Sequence, residues 1–245
     1  VDISRNQIEK FLYSKGYFNA KVESSIAVKD QRAEVNFSAK PGPAFSVNKF
    51  SYDIADPKVM ELYMKEKGVF THLREGMQYD DDSLAYERDQ IYDVMKQNGY
   101  YDFARPYIKY VVDSNLNVSK TNITLIVDNP ADKPAHEQYT IGETNIIVAP
   151  NTDGFPDSLT FNPRIFRNIR STDLSKRFRR NPIVRYDFIR SGDLYDSRNE
   201  NITYDRLYEL NVFKNVKIDY LKAADSTKQV NPIIRLIPQK RMSNR

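Results

Sequence analysis

The sequence predicts an α+β chain made of tandem β-α-α-β-β modules, and three observations lead to this prediction. Helical hydrophobic spacing changes to strict alternation after Gly16 and again after Gly99. Both glycines precede aromatic residues, in "YSKGYFNA" and "KQNGYYDF", and the tetrapeptides "GMQY" and "GDLY" each precede a predicted second helix. Repeats of roughly 80 to 105 residues are typical of tandem domains, because solenoid repeats run only about 20 to 50.

The composition excludes several classes of protein. A chain of 245 residues with 40% hydrophobic residues is long enough for two or three small domains. The absence of cysteine excludes disulfides and thiol catalysis. A net charge of +4 is too small to indicate nucleic-acid binding. No apolar run approaches the roughly 18 residues of a membrane span, and the first residues do not have the layout of a signal peptide.

The first module is predicted over residues 1–43. Ile8, Phe11 and Leu12 have helical spacing before Gly16. Alternating apolar residues then occupy two runs, separated by the polar "KDQR", which predicts a hairpin. No first strand or first helix precedes this pattern, so we expect residues 1–43 to be the C-terminal part of a truncated module.

The second module, over residues 44–132, is predicted to be complete. "FSVNKFSYDI" alternates as a strand, and Asp56-Pro57 then begins a helix with Asp as N-cap and Pro at the first helical position. A second helix has an apolar face and ends at Gly99, and the face consists of Leu84, Ile91, Val94 and Met95. Alternating runs over 104–112 and 123–127 predict the closing hairpin.

The third module, over residues 136–245, repeats this order around a basic, loop-rich insertion at 151–181. "GETNIIVAP" predicts its first strand, "NPIVRYDFI" and "TYDRLYEL" its two helices, and "VFKNVKIDYL" with "VNPIIRLIP" the hairpin. Phe213 is placed where Tyr17 and Tyr100 stand, with Val212 in the position of the glycine. The third repeat is therefore degenerate.

These patterns resemble POTRA (polypeptide-transport-associated) domains, chiefly through "GMQYDDDSLAYERDQIYDVMKQNGYYDF" and "LNVFKNVKI". The chain is most similar to the BamA/TamA superfamily of outer-membrane assembly proteins, in its TamA-like (TamL) surface-antigen branch. The resemblance implies that each module has a three-stranded mixed sheet covered by two helices. It also implies a place on the periplasmic face of the bacterial outer membrane, ahead of a C-terminal β-barrel.

The same resemblance implies what the chain binds. The expected partners are unfolded outer-membrane or exported polypeptides, accessory envelope proteins, the protein's own barrel and the membrane surface. No enzymatic activity, cofactor or nucleic acid is implied. The alternative to client binding is a structural scaffold that docks fixed envelope partners.

Several motifs are interpreted as structural. Gly16 and Gly99 suit the position just past a helix end, where a positive φ is needed, and Gly76 and Gly192 begin the G-x-x-Y motif. Direct ligand binding by the aromatic residues after the glycines is the weaker alternative. The acidic run "DDD" at 80–82 suits helix capping better than a calcium loop. His72 and His136 lie in no catalytic pattern.

Sheet edges are the predicted functional surface. The resemblance implies that the strand after the glycine and aromatic residues lies at an edge, where backbone groups can pair with an added strand. Pro106 and neighbouring charges would oppose this pairing, so the first and third edges are less obstructed than the second. The candidate edge residues are Lys21, Val22, Glu23, Ser24, Arg105, Tyr107, Lys109, Val216, Lys217, Ile218 and Asp219.

A basic run from Arg164 to Arg190 has nine basic residues against two acids. The ordinary interpretation is a solvated charged face. The sharper one is contact with anionic headgroups or acidic barrel turns, worth about 1 kcal/mol per charge. The candidates for that contact are Lys176, Arg177, Arg179 and Arg180. Nucleic-acid binding stays an alternative with no supporting motif.

Overall fold

The computed structural model divides the chain into two compact units. Unit 1 contains residues 1–92 and 104–135, and unit 2 contains residues 93–103 and 136–245. The residues that the structure describes are 1–115, 118–156, 164–166, 169–224 and 227–240.

Unit 1 begins with a helix and a hairpin. Helix α1 (Asp2–Ser14) precedes strands β1 (Lys21–Lys29) and β2 (Arg32–Lys40), which pair antiparallel. Asp30 and Gln31 join them with φ values of 50° and 62°, as a two-residue type I′ turn requires. Of the predicted apolar face of α1, Phe11 is 61% exposed.

The rest of unit 1 includes the predicted β-α-α-β-β order. Its elements are β3 (Ser46–Ile54), α2 (Pro57–Phe70), α3 (Asp81–Gln97, as far as Tyr92), β4 (Ile108–Asn115) and β5 (Lys120–Val127). The sheet order is β3-β5-β4, with β5 parallel to β3 and antiparallel to β4. The predicted three-stranded mixed sheet is therefore confirmed.

Local signals account for the helix boundaries. The Asp56 carboxylate accepts a hydrogen bond from the Lys58 N–H at 2.9 Å, and Pro57 occupies the first turn of α2. At the end of α1 the Tyr17 N–H donates to the Leu12 carbonyl at 3.0 Å. Gly16 has φ +85° there, which completes a Schellman C-cap.

The core of unit 1 lies between the sheet and the helices. Val47, Tyr79, Leu84 and Ile123 are buried together in it. Glu87 is also fully buried and accepts a hydrogen bond from the Tyr63 hydroxyl at 2.9 Å. Burial raises the pKa of the Glu87 carboxyl.

Unit 2 contains a larger sheet. Its elements are β6 (Thr140–Ile141), β7 (Thr144–Val148), β8 (Arg164–Phe166), β9 (Ile169–Asp173), α4 (Arg180–Val184), α5 (Ser197–Glu209), β10 (Phe213–Lys222) and β11 (Gln229–Pro238). The strand order is β10-β11-β7-β9-β8, and β6 also pairs with β11. Strands β10, β11 and β7 form the predicted mixed three-stranded arrangement.

The insertion differs from the prediction of a loop-rich segment. Residues Arg164–Phe166 and Ile169–Asp173 form an antiparallel pair that extends the sheet beyond β7. Residues 157–163 and 167–168 of the insertion, including Arg167, lie outside the described residues. The prediction failed because β8 is only three residues long, which is too short for a clear alternating pattern.

The placement of Phe213 is also corrected. Helix α5 ends at Glu209, and the residue with left-handed backbone is Asn211, with φ 52°. Asn211 therefore occupies the position of Gly16 and Gly99, since asparagine tolerates this conformation better than other residues with a side chain. Phe213 then corresponds to the second residue after each glycine, not to Tyr17 and Tyr100.

Among the residues that the structure describes, none of the helices has the length and apolar character needed to span a membrane.

Candidate functional site

The strand that follows the second helix of each predicted module lies at a sheet edge. These strands are β1, β4 and β10, and each pairs with one neighbour, β2, β5 and β11 respectively, among the described strands. An antiparallel edge strand directs the N–H and C=O of every second residue away from its neighbour. The hydrogen bonds at the strand ends identify those residues.

On β4 the outward residues have even numbers. The Asp128 N–H donates to the Tyr107 carbonyl at 3.0 Å, so Tyr107 and Asp128 form a hydrogen-bonded pair. Alternation along the ladder then directs the backbone groups of Ile108, Tyr110 and Val112 outward.

On β10 the outward residues also have even numbers. The Ala223 N–H donates to the Gln229 carbonyl at 2.9 Å, directly opposite it in the register. Val216, Ile218 and Tyr220 therefore direct their backbone groups outward.

On β1 the two-residue turn makes Lys29 and Arg32 the hydrogen-bonded pair next to it. Val22, Ser24, Ile26 and Val28 are then the outward residues. The Val22 N–H donates to Glu9 Oε1 of α1 at 2.9 Å. A side chain thus already occupies the first outward donor, and the open part of this edge runs from Ser24 to Val28.

The predicted edge residues fall into two groups. Val22, Ser24, Val216 and Ile218 present outward backbone groups. The backbone groups of the remaining strand residues, which are Lys21, Glu23, Lys109, Lys217 and Asp219, are turned toward the neighbouring strand.

Arg105 and Tyr107 are not strand residues, which corrects the prediction. They lie in a 3₁₀ turn, Arg105–Tyr107, ahead of β4, because Pro106 fixes φ and has no N–H for a ladder. The Arg105 Nε donates to Asp89 Oδ1 at 2.6 Å, and its guanidinium lies 4.0 Å from the centroid of the Tyr92 ring.

The three edge strands differ in the charged side chains that they carry. Lys109 of β4 pairs with Asp128 at 2.5 Å, and Lys217 of β10 pairs with Asp219 at 3.1 Å. On β1 the stretch Ser24–Val28 has no charged side chain. Ile26 and Val28 are 57% and 75% exposed. Because charged residues are the usual protection of an edge, β1 is the least protected of the three edges.

The glycine turns repeat one arrangement within each unit. In unit 1 the Gly16 carbonyl accepts from the Phe45 N–H at 2.9 Å, and the Phe18 ring lies 4.7 Å from Phe45 and 5.0 Å from Tyr79. The aromatic residue after the glycine motif therefore packs on the beginning of the next module's strand and on its G-x-x-Y tyrosine.

Unit 2 contains the equivalent contacts. The Gly99 carbonyl accepts from the Tyr139 N–H at 2.8 Å, and the Tyr101 ring lies 6.0 Å from Tyr139 and 5.1 Å from Tyr195. Sequence reasoning emphasised the first aromatic residue after each glycine and missed the second. The signal was present, because Phe18 and Tyr101 are both aromatic.

Gly76 and Gly192 also have equivalent roles. Their φ values are +82° and +91°, and their N–H groups donate to Val47 at 2.7 Å and to Ile141 at 2.8 Å. A Cβ added at either position would meet no atom within 4 Å. At these positions glycine is needed for the backbone conformation, not for space.

The two histidines and the acidic run at 80–82 make contacts that stabilise the fold. His72 stacks on Tyr86 at 5.3 Å, and His136 lies 4.8 Å from the Phe103 ring. Asp80 caps α3 by accepting a hydrogen bond from the Asp82 N–H at 3.4 Å, and its carboxylate also accepts one from the Ser83 hydroxyl at 3.0 Å. In the described parts of the chain, no group of three His, Asp or Glu residues is arranged to hold a metal ion.

The basic candidates separate into two sets. The Arg177 guanidinium donates to the Gln239 carbonyl at 2.7 Å. Lys176, Arg179 and Arg180 line an open cavity near the end of β9.

Comparisons with known proteins identify the fold. The sequence matches no protein-family model and no curated protein. The structure resembles POTRA domains 3–5 of BamA from Haemophilus influenzae, with a TM-score of 0.56, 13% identity, and coverage of 96% of this chain and 79% of that one. It also resembles BamA from Haemophilus ducreyi lacking POTRA domains 1–3, with a TM-score of 0.56, 12% identity, and coverage of 80% and 30%. At this level of identity the likeness shows the fold, so the chain has the POTRA fold.

Proposed function

We propose that this chain is the periplasmic part of an outer-membrane biogenesis protein and that it docks extended polypeptide segments by β-augmentation. The observation that carries the proposal is the edge of β1, where Ser24–Val28 presents outward backbone groups and has no charged side chain. The POTRA fold supports a role in outer-membrane biogenesis, because the similar solved structures are those of BamA. A place in the TamA-like branch remains a prediction.

The edge is suited to weak and exchangeable binding. Ser24, Ile26 and Val28 together offer about six backbone groups, each worth a net 0.5–1.5 kcal/mol when paired. Ordering an extended client costs about 1–2 kcal/mol per residue, which offsets most of that gain. Docking through the backbone is therefore transient and tolerant of sequence, and the exposed Ile26 and Val28 add affinity for apolar clients.

A scaffold is the second candidate, and the repeated glycine turns favour it. Within each unit the contacts of Phe18 and of Tyr101 would keep the glycine turn in one arrangement whether or not a client binds. The scaffold function predicts a fixed partner, whereas the docking function predicts many clients.

Site-specific crosslinking in cells separates the two functions. A photocrosslinker replaces Ser25 of β1 or Lys217 of β10 in the full-length protein, and Glu61 on the exposed side of α2 is the control position. Docking predicts that newly made outer-membrane proteins are captured at Ser25 and not at Glu61. Capture of one fixed partner at all positions would refute client docking.

A proline pair tests the backbone directly. Ser24→Pro removes an outward N–H, whereas Ser25→Pro removes an N–H that bonds to β2. We expect Ser24→Pro to keep the fold and to reduce crosslinking from Ser25. Ser25→Pro is expected to destabilise the hairpin itself. Unchanged capture in a folded Ser24→Pro variant would exclude augmentation at β1.

A further inference from the structure

An open cavity of about 940 Å³ lies in unit 2 beside the end of β9 and helix α4. Among the described residues, four basic side chains line it, namely Lys176, Arg179, Arg180 and Arg185. Its wall also includes aromatic side chains, those of Phe178 and Tyr186. The cavity therefore combines strong positive charge with an apolar surface, and it is separate from the edge strands.

Asp173 is the one carboxylate among the described lining residues, and it is hydrogen-bonded within the loop. Asp173 accepts hydrogen bonds from the N–H groups of Ser175 at 2.9 Å, Arg177 at 2.8 Å and Phe178 at 2.7 Å. Burial opposes ionisation, but these hydrogen bonds together lower the pKa of Asp173. Asp173 therefore stays ionised, and among the described lining residues its single negative charge is outnumbered by four cations.

The loop holds one of those cations in a strained conformation. Lys176 has φ 55°, which costs a residue with a side chain roughly 1–2 kcal/mol. Such a conformation persists only where the surroundings fix it, and here the three bonds to Asp173 do so. The loop thus fixes the backbone of Lys176 beside the cavity before any ligand arrives.

Three of the cations are available to a ligand. Lys176, Arg179 and Arg185 have no ion pair with a carboxylate in the described part of the chain, and all three are exposed. Guanidinium groups and an ammonium that line one cavity suit a phosphate, which offers three oxygens and close to two negative charges. The cavity is far larger than a phosphate, so it has room for a further part of a ligand beside Phe178 and Tyr186.

We propose that this cavity binds a phosphate monoester attached to a larger group, with the phosphate held by Lys176, Arg179 and Arg185. The source of the phosphate is either the headgroup of an anionic lipid or a soluble phosphorylated sugar. This proposal goes beyond client docking, because it concerns different residues and a different ligand class.

Binding to defined probes tests the proposal with the whole chain. The soluble probe is glucose 1-phosphate, with glucose as its uncharged control, and titration calorimetry measures its affinity. The lipid probe is phosphatidylcholine vesicles containing phosphatidic acid, with pure phosphatidylcholine as control, and co-sedimentation measures binding. Binding of the soluble probe identifies a soluble source, and binding of the vesicles alone identifies a lipid.

The double change Arg179→Gln with Arg185→Gln should weaken binding of the preferred probe roughly tenfold or more. Two single changes remove the same kind of charge elsewhere, Arg177→Gln in the same loop and Lys214→Gln on β10, and we expect both to stay within about twofold. Equal weakening by the controls would overturn the site. Absence of binding of both phosphate probes by the unaltered chain would overturn it too.

Lys176→Gly keeps the proposal testable if the double variant does not fold. Glycine relieves the positive φ, so the thermal midpoint should rise or stay unchanged. The lost ammonium should nevertheless weaken phosphate binding several-fold. A purely structural role for Lys176 predicts no loss of binding in this stable variant, and that result would overturn its role in the site.

Discussion

Gly16→Ala and Gly76→Ala form a matched pair that tests why the first glycine turn needs glycine. Both positions have similar positive φ, +85° and +82°, so both variants incur the left-handed penalty of about 1–2 kcal/mol. Only at Gly16 would the new Cβ lie 2.8 Å from the Tyr79 carbonyl oxygen and 3.1 Å from its Cβ. Because the closest atom is backbone, relief requires the Tyr79 segment to move, at a further cost of about 1–3 kcal/mol.

The expected loss of stability is therefore about 2–5 kcal/mol for Gly16→Ala and about 1–2 kcal/mol for Gly76→Ala. A chain with two compact units need not unfold in two states, so the measurement should be local. Hydrogen exchange of the Phe45 amide is suited to it, because that amide donates to the Gly16 carbonyl. Equal loss of protection in the two variants would refute the close approach as the reason for Gly16.

Three other variants test unit 2. Burial raises the pKa of Asp187 from 3.8 to about 7, so the folded state binds its proton more tightly than the unfolded chain, and stability falls as pH rises from about 4 to 7. Asp187→Asn should flatten that pH dependence, because the variant has no carboxyl to titrate. Measured by denaturant unfolding, the free energy that the unaltered chain loses between pH 4 and pH 8 through Asp187 is no more than about 4 kcal/mol. An unchanged pH dependence in the variant would contradict the role of Asp187. Asn211→Ala should destabilise unit 2 by about 1 kcal/mol, while Asn211→Gly stays within about 0.5 kcal/mol; equal losses would contradict the left-handed cap. Tyr101→Ala should cost about 2–4 kcal/mol in unfolding free energy, against less than about 1 kcal/mol for the exposed control Tyr204→Ala, and similar losses would contradict the packing of Tyr101.

Local signals explain which parts of the fold could be predicted. The beginning of α2 follows from Asp56 and Pro57, which cap and preset the helix without help from distant residues. The register of β1 on β2 follows from alternation and a two-residue turn. The glycine turns follow from the positive φ that a helix end requires.

The predictions that were wrong or incomplete concern features that depend on tertiary contacts or on a substitution within a motif. Strands β8 and β9 are too short to show alternation, and pairing with β7 makes β9 a strand. Asn211 breaks the glycine pattern of the sequence, although asparagine can adopt the same left-handed backbone. The Glu9 carboxylate on the Val22 N–H joins a helix to a strand edge, and no spacing rule predicts such a bond.

The candidate site shows a further limit of sequence reasoning. Lys176, Arg177, Arg179 and Arg180 formed one basic run in the sequence. The structure turns Arg177 to the Gln239 carbonyl and adds Arg185 to the cavity. Charged residues that are adjacent in sequence can point in different directions from a tight loop. The hydrogen bonds of Asp173 shape this loop, and they therefore decide which basic residues reach the cavity.

Edge accessibility and core packing are linked along these strands. Hydrogen-bond direction and side-chain direction both alternate with a period of two, so the residues with outward backbone groups also share one face of the sheet. On β4 and β10 that face includes buried Ile108 and Val216, and a change there would disturb the core together with the edge. On β1 the polar Ser24 occupies this parity. Ser24 is half-buried, and Ile26 and Val28 of the same parity are 57% and 75% exposed. A change at these positions therefore disturbs packing less than one at Ile108 or Val216, and its effect on client capture can be assigned to the edge.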